Sequence, residues 1–409
     1  MKHLSIMSTV LLAAALMCGC RNVNNNYKMG TYGYDLEFFA RQNIPVVELK
    51  SEDGNSRVLV VPAYQGRVMT STASGDDGRS YGWINHEFIR SGEVNAQFNS
   101  YGGEERFWIG PEGGPFSWFF KKGDVQEYAN WKVPAAIDTE AFDIESSEEG
   151  KVVFTREFEV SNASGTTFRM GARRVISLLD GEGLGSLLGV EIPAGLRTIA
   201  YRTENTIVNR SGFEWTKETG MPSVWLLSTF NPTRTTTVFI PYEKEYAGKP
   251  VNDEYFGKVP ADRLVVEDGM VYFKIDGEYR AKIGLPSGSA KDLCGSYDSE
   301  AGVLNILKYT VPEGPADYVN GQWGPQEDPF NGDVINSYND GPTETGKIMG
   351  PFYEVETSSP GAALAPGQSL THVQYTIHIE GSEEALSVIA AKVFGADLKK
   401  VAGIFQHKG

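Results

Sequence analysis

The sequence predicts a mainly β protein of antiparallel strands, with a short helix close to the C-terminus. Runs rich in Val, Ile, Thr, Tyr and Phe, many of them alternating apolar and polar residues, recur from Val46 to Ile379. Gly, Pro, Asp and Asn separate these runs, and 46 Gly and 20 Pro among 409 residues indicate many tight turns and loops. Helical spacing is strong only near the two ends of the chain. Together these observations favour large antiparallel sheets joined by loops.

Individual elements follow from the same patterns. The clearest strand is Lys151–Val160, and the apolar residues on one of its faces are Val152, Phe154, Phe158 and Val160. A short helix is predicted over Tyr34–Arg41. A second helix, over about 382–394, begins at the cap residue Ser382 and carries acidic residues in its first turn and apolar residues at helical spacing.

The N-terminus predicts export. Residues 1–19 combine Lys2, an apolar run and a small residue before a cysteine, which is typical of a secretory signal. The apolar run is shorter than the roughly 20 residues that a membrane span needs. We therefore expect cleavage after Gly19, lipidation of Cys20, a polar tether over 20–33 and a single domain over 34–409. Bacterial lipoproteins that resemble this one are expected to need an acidic tract after the lipidated cysteine to reach the cell surface. No such tract follows Cys20, so we expect the protein on the periplasmic face of the outer membrane.

Charge and cysteine content narrow the expected partners. The formal net charge of −16 disfavours nucleic acid and anionic membrane surfaces, so membrane contact is expected only through the lipid anchor. Once Cys18 and Cys20 are assigned to the signal and the lipid, Cys294 is the remaining thiol. It has no His nearby in the sequence, and we expect it to be structural.

Two glutamates near the C-terminus form the first candidate site. In the predicted strand after Phe352, Glu354 and Glu356 point to one side, while Tyr353, Val355 and Thr357 point to the other. The two carboxylates are roughly 6.5 Å apart along the strand. Placing two carboxylates on one face costs free energy unless water, a ligand or a cation contacts them.

A second candidate region runs from Tyr101 to Glu112 and continues into Phe116, Trp118, Phe119 and Phe120. Aromatic rings interleaved with carboxylates and one arginine suit carbohydrate, because rings stack on apolar sugar faces while charged groups bind hydroxyls. Arg106 and Trp108 are the candidate binding residues here. The alternative is a Gly-rich turn between core strands with an Arg–Glu pair.

The third candidate region is the long oxygen-rich segment Tyr318–Pro342. It is predicted to be a sugar-binding lid that carries Trp323 and Tyr338, with Asn336 and Asp340 as binding residues. A calcium site and simple Asx turns are the open alternatives. Otherwise no cofactor or metal site is expected.

Histidines occupy one face of the last predicted strand, together with other polar residues: His372, Gln374, Thr376 and His378. We expect this face either to meet solvent or to line a cleft. Metal binding by His372 and His378 is disfavoured, because six strand residues separate them by roughly 20 Å.

The C-terminal region resembles galactose mutarotases (aldose 1-epimerases). Glu356-Thr357-Ser358-Ser359-Pro360 and the later turn Leu364-Ala365-Pro366-Gly367 are similar to the segments that carry the catalytic glutamate and lead into the last strand of that family. The resemblance implies a large two-sheet antiparallel supersandwich, with Glu356 as the catalytic base. The segment from Asn205 to Phe213 is similar to the family's acid-bearing segment, but Arg210 stands where the family has its catalytic His.

Arg210 cannot serve as an acid, because a guanidinium stays protonated in proteins. The resemblance therefore implies that Arg210 binds a carboxylate or sugar hydroxyls. A substitute acid would come from Glu104, Glu105, His86 or His372.

Three functions follow as hypotheses. The first is an exported lipoprotein that binds carbohydrate in a cleft on the concave sheet, without required catalysis, through residues shared among the three regions and the acid-bearing segment: Arg106, Trp108, Arg210, Asn336, Asp340, Glu354 and Glu356. The second is an aldose 1-epimerase-like or other sugar-processing enzyme with Glu356 as base. The third is a non-catalytic structural or partner-binding lipoprotein.

Overall fold

Antiparallel strand pairing dominates the chain, as the alternation predicts. The computed structural model describes residues 26–343 and 346–406, so the expected signal and Cys20 lie outside the described residues. The strands, in chain order, are β1 (Val47–Lys50), β2 (Arg57–Val61), β3 (Arg67–Thr72), β4 (Arg106–Gly110), β5 (Asp143–Glu148), β6 (Lys151–Ser161), β7 (Thr167–Leu178), β8 (Arg197–Asn209), β9 (Ser223–Phe230), β10 (Thr236–Pro241), β11 (Leu264–Glu267), β12 (Met270–Lys274), β13 (Ala281–Pro286), β14 (Leu293–Asp298), β15 (Val303–Tyr309), β16 (Asp333–Asn339), β17 (Tyr353–Ser358) and β18 (Ser369–Glu380). The helices are α1 (Tyr32–Arg41), α2 (His86–Ser91), α3 (Gly181–Leu188), α4 (Glu383–Phe394) and α5 (Leu398–Gly403).

The strands form three sheets. A ten-stranded sheet has the order β11-β12-β10-β14-β15-β18-β8-β7-β6-β5, a five-stranded sheet has the order β13-β16-β17-β9-β4, and β1-β2-β3 form a third. The two larger sheets meet face to face: the Tyr353 hydroxyl of β17 lies 2.7 Å from the Ser296 hydroxyl of β14. This is the predicted architecture of large antiparallel sheets in layers.

The helices differ in how well the sequence predicts them. The Ser382 side chain accepts a hydrogen bond from the Ala385 N–H and caps α4, as expected, and the apolar stripe of α4 is buried. Helix α1 begins at Tyr32, two residues before the predicted start. Because Tyr32 is completely buried, the last residues of the expected tether belong to the fold. None of the helices in the described ranges has the length and apolarity of a membrane crossing.

The polar face of β18 is neither solvent-facing nor part of a cleft, which corrects the expectation for His372 and His378. Both side chains are buried between the two larger sheets. His372 lies 2.9 Å from the Thr357 hydroxyl of the opposite sheet, and burial lowers its pKa to about 3. His378 lies 3.0 Å from Glu104. The same layer holds the fully buried ion pair of Arg174 with Glu105, at 2.7 Å.

The remaining thiol behaves as expected of a structural cysteine. Cys294 lies on β14, is completely buried and packs in the apolar cluster between the sheets. Burial raises the pKa of its thiol well above the ordinary range, so the reactive thiolate is strongly disfavoured.

Candidate functional site

The outer face of the five-stranded sheet collects the candidate residues. Glu354 and Glu356 of β17 share this face, as predicted, while Val355 packs in the core and Thr357 bonds to His372 behind the sheet. Antiparallel register brings residues of the neighbouring strands opposite the two glutamates. Across the sheet the outward side chains are Arg106 and Trp108 on β4, Trp225, Leu227 and Thr229 on β9, Asn336 and Tyr338 on β16, and Lys282 on β13.

Each glutamate is met by its own cation. Arg106 Nη2 lies 3.2 Å from Glu354 Oε1, and Lys282 Nζ lies 2.8 Å from Glu356 Oε2. The Trp225 indole N–H also donates to Glu356 Oε2 at 3.0 Å. The four charged side chains expose 12% of their surface or less, so both ion pairs are largely shielded from water. The acidic pair is thus neutralised within the sheet.

Trp108 supports Arg106 and does not line open space. The guanidinium carbon of Arg106 lies 4.1 Å from the centroid of a Trp108 ring, in a cation–π contact. The Trp108 indole N–H donates to the Ile137 carbonyl at 3.1 Å, and the residue is 3% exposed. The structure therefore places Trp108 beneath the site, where it holds Arg106 in position.

A stack of aromatic rings lies beside the ion pairs. The Trp131 ring is nearly parallel to those of Phe119, Tyr128 and Trp323, with centroids 5.8, 6.1 and 6.3 Å away. Trp323, from the predicted lid segment, is 37% exposed, and Tyr128 is 66% exposed. The stack offers flat apolar faces next to charged groups, which is the combination expected of a sugar site.

Glu112 joins this site, although the sequence did not single it out. Burial raises its pKa to about 7, an effect that nearby Lys282 partly offsets and the negative charge of Glu356 reinforces. The indoles of Trp131 and Trp323 lie beside the carboxylate. Hydrogen bonds from both indoles oppose the rise in the pKa of Glu112, so the Trp131 N–H is directed at this carboxylate. Arg106 Nε is buried and makes no hydrogen bond with any described residue.

The remaining site charges follow the same electrostatics. Burial raises the pKa of Glu354, with Arg106 opposing and Glu356 reinforcing the shift. Burial opposes the charge of Lys282, but Glu356 and Glu112 outweigh it and raise its pKa. Three carboxylates therefore share two cations, and the site is electrically balanced when one carboxyl is protonated.

Arg210 does not belong to this site, contrary to expectation. It follows β8, which lies in the ten-stranded sheet, and its Nε pairs with Glu157 of β6 at 3.1 Å. The side chain is 48% exposed. A resemblance in a short segment locates Arg210 along the chain but does not indicate which sheet face carries it.

The two predicted lid residues lie on or next to β16. Asn336 Nδ2 donates to the Tyr255 hydroxyl at 3.1 Å and to the Ile283 carbonyl at 3.2 Å, directly across from Glu356. Asp340 accepts from the Tyr338 hydroxyl and from the Gly350 N–H, both at 2.9 Å. Asn336 therefore lies next to the ion pairs, and Asp340 lies just after the C-terminal end of β16.

None of the four expected substitute acids reaches Glu356. His86 lies 2.6 Å from Asp35, beside helix α1. His372, Glu104 and Glu105 are buried in the polar layer behind the five-stranded sheet. Within the described ranges, no group of three carboxylate, imidazole or thiol side chains is placed to hold a metal ion.

The family profile of DUF6786 matches residues 30–405. The chain belongs to DUF6786, a family of unknown function. No curated protein sequence matches it.

Solved structures share the fold of this DUF6786 member. The Slr1438 protein from Synechocystis sp. PCC 6803 is 11% identical with a TM-score of 0.50, over 82% of this chain and 95% of that one. A galactose mutarotase-like protein from Lactobacillus casei is 10% identical with a TM-score of 0.49, over 82% and 100%. A galactose mutarotase related enzyme from Lactobacillus acidophilus is 8% identical with a TM-score of 0.46, over 82% and 98%. Galactose mutarotase-like proteins are therefore among the solved structures that this chain resembles, and the Slr1438 structure shares its fold.

Proposed function

We propose that the protein binds carbohydrate on the outer face of the five-stranded sheet. The observation that carries the proposal is the exposed aromatic stack of Trp323, Trp131 and Tyr128 beside the paired charges of Glu356 and Lys282. Flat rings suit the apolar face of a sugar, and oriented polar groups suit its hydroxyls.

Isothermal titration calorimetry against a panel of mono- and oligosaccharides tests this proposal. Trp323→Ala removes an exposed face of the stack, so we expect at least a tenfold weaker affinity for any sugar that binds. Tyr375→Ala is the matched control, because Tyr375 is a partly exposed aromatic residue of β18 in the other sheet. Folded wild-type protein that gives no heat with any sugar would contradict the proposal.

A second candidate function is catalysis at a sugar anomeric centre, with Glu356 as base. Glu112 favours it: its raised pKa of about 7 lets it hold a proton near neutral pH, as a general acid must. Mutarotation needs both groups, one to take the anomeric hydroxyl proton and one to protonate the ring oxygen. Polarimetry of freshly dissolved aldoses tests this function. Glu356→Gln and Glu112→Gln should each remove the catalysed rate, and a wild-type rate equal to that of buffer would exclude it.

We further propose that the chain is exported and anchored through a lipid on Cys20, facing the periplasm. The signal pattern of residues 1–19 supports this proposal. Metabolic labelling with an alkyne fatty acid should mark the wild-type protein and not Cys20→Ser. Protease added to intact cells should leave the protein uncut, and rapid cleavage would instead place it on the cell surface.

A further inference from the structure

The centre of the proposed sugar site has no spare cation. Arg106 is committed to Glu354 and Lys282 to Glu356, each within hydrogen-bond distance. Bringing an anionic sugar group to this centre would place a fourth negative charge among three carboxylates. The centre therefore suits neutral hydroxyls, and an acidic group would have to be recognised elsewhere on the face.

An arginine that forms no salt bridge in the described ranges lies next to the centre. Arg280 is two residues before Lys282, so on an extended chain it shares that face, roughly 6.7 Å further along. Its side chain is exposed, and no carboxylate in the described ranges lies within salt-bridge distance of it, although its charge acts on nearby Asp340. In a protein with a net charge of −16, Arg280 is a positive side chain beside charges that are otherwise paired.

The guanidinium of Arg280 lies over an exposed aromatic ring. Its central carbon lies 3.8 Å from the centroid of Phe256, which is 47% exposed and packs edge-on against Tyr338 with a centroid distance of 6.0 Å. Tyr338 is the β16 residue directly opposite Lys282. One N–H group of Arg280 hydrogen-bonds the Tyr338 hydroxyl, and the others can bind a planar acceptor such as a carboxylate.

The segment that carries Phe256 is fixed to the sheet edge. Asn252 exchanges two main-chain hydrogen bonds with Gly284 of β13, at 2.7 and 2.8 Å. Lys249 and Lys258 both pair with Asp253, at 2.7 and 2.6 Å. The platform under Arg280 is therefore held by main-chain and ionic contacts before any ligand arrives.

The aromatic stack and the Phe256 platform lie towards opposite edges of the five-stranded sheet. The stack adjoins β4 and the platform adjoins β13, and these edge strands are four strand spacings apart, about 19 Å in all. This span is wider than one sugar ring. We propose that the ligand is an oligosaccharide whose anionic residue, a uronic acid or a sulfated sugar, binds Arg280 next to the residue at the centre. This inference rests on the proposed carbohydrate binding.

Calorimetry with trigalacturonate, its fully methyl-esterified form and a sulfated carrageenan oligosaccharide of similar length tests the inference. The methyl ester keeps length and shape but removes the charge. We expect either trigalacturonate or the sulfated oligosaccharide to bind at least tenfold more tightly than the neutral methyl ester. Which of the two charged probes binds identifies carboxylate or sulfate as the recognised group.

Arg280→Ala should remove this preference and leave binding of the neutral probe unchanged. Arg169→Ala is the matched control, since it removes the same charge from the ten-stranded sheet, where Arg169 is exposed. Sugar binding that ignores charge, or a preference that survives in Arg280→Ala, would overturn the anionic subsite alone. Absence of binding by all three probes and by the wider sugar panel would overturn the proposed function, and this inference with it.

Discussion

The ion pair of Lys282 with Glu356 should be a strong local determinant of stability. Its Nζ–Oε2 distance is 2.8 Å, and the two side chains expose only 11% and 2% of their surface. Lys282→Met keeps much of the aliphatic stem but removes the paired cation. Glu356 is then left as a buried charge with the Trp225 N–H as its direct donor and the charge of Arg106 nearby. Breaking a buried pair from one side costs about 3–5 kcal/mol, and we expect a loss of that size in the free energy of unfolding at pH 7.

The double variant Lys282→Met/Glu356→Gln should recover most of this loss. With both charges removed, neither is left unpaired in the low-dielectric face. Urea denaturation of wild type, both single variants and the double variant gives the coupling energy directly.

Two results would refute this reasoning. One is a loss below about 1 kcal/mol in Lys282→Met, which is typical of a solvent-exposed pair. The other is a double variant whose loss equals the sum of the two single losses, because additivity would mean that the charges do not interact.

Three further outcomes are expected. Because the pKa of Glu112 is raised to about 7 in the folded protein, the contribution of Glu112 to stability should fall as pH rises from about 4.5 through 7. Glu112→Gln should therefore be more stable than wild type by about 1–3 kcal/mol at pH 8 and no more stable at pH 4, as thermal denaturation would measure. Arg210→Ala should leave sugar affinity within twofold of wild type in calorimetry, since its ion pair lies on the other sheet. Ser382→Ala should cost about 1 kcal/mol in urea denaturation through loss of the α4 cap, and an unchanged midpoint would contradict that role.

Local pattern was sufficient for features that depend on one segment. The facing of Glu354 and Glu356 follows from strand alternation, and the start of α4 follows from its cap and apolar stripe. The apolar face of β6 is buried as predicted. Helices α2, α3 and α5 are each eight residues or shorter, so they carry too few residues for a periodic signal.

Features that depend on strand order could not be predicted in the same way. Lys282 is a single lysine in a short apolar strand, and its partner Glu356 lies 74 residues away, on a strand that is not even its immediate neighbour in the sheet. Alternation along β18 predicts a polar face that meets solvent or lines a cleft. It shows which residues share a face, but not which part of the protein covers that face. Here the five-stranded sheet covers it, and His372 bonds across the gap to Thr357.

Because strand order cannot be predicted from local pattern, the observed neighbours of Glu356 differ from the expected ones. Resemblance along the chain paired Glu356 with Arg210, but sheet membership separates them and brings Lys282 and Glu112 to the glutamate instead. A carboxylate held by a cation 2.8 Å away is oriented to accept a hydrogen bond from a sugar hydroxyl. Binding therefore needs no rearrangement of the pair. Catalysis requires Glu112 to deliver a proton while Lys282 still holds Glu356, and for this reason carbohydrate binding is the simpler of the two proposals for this face.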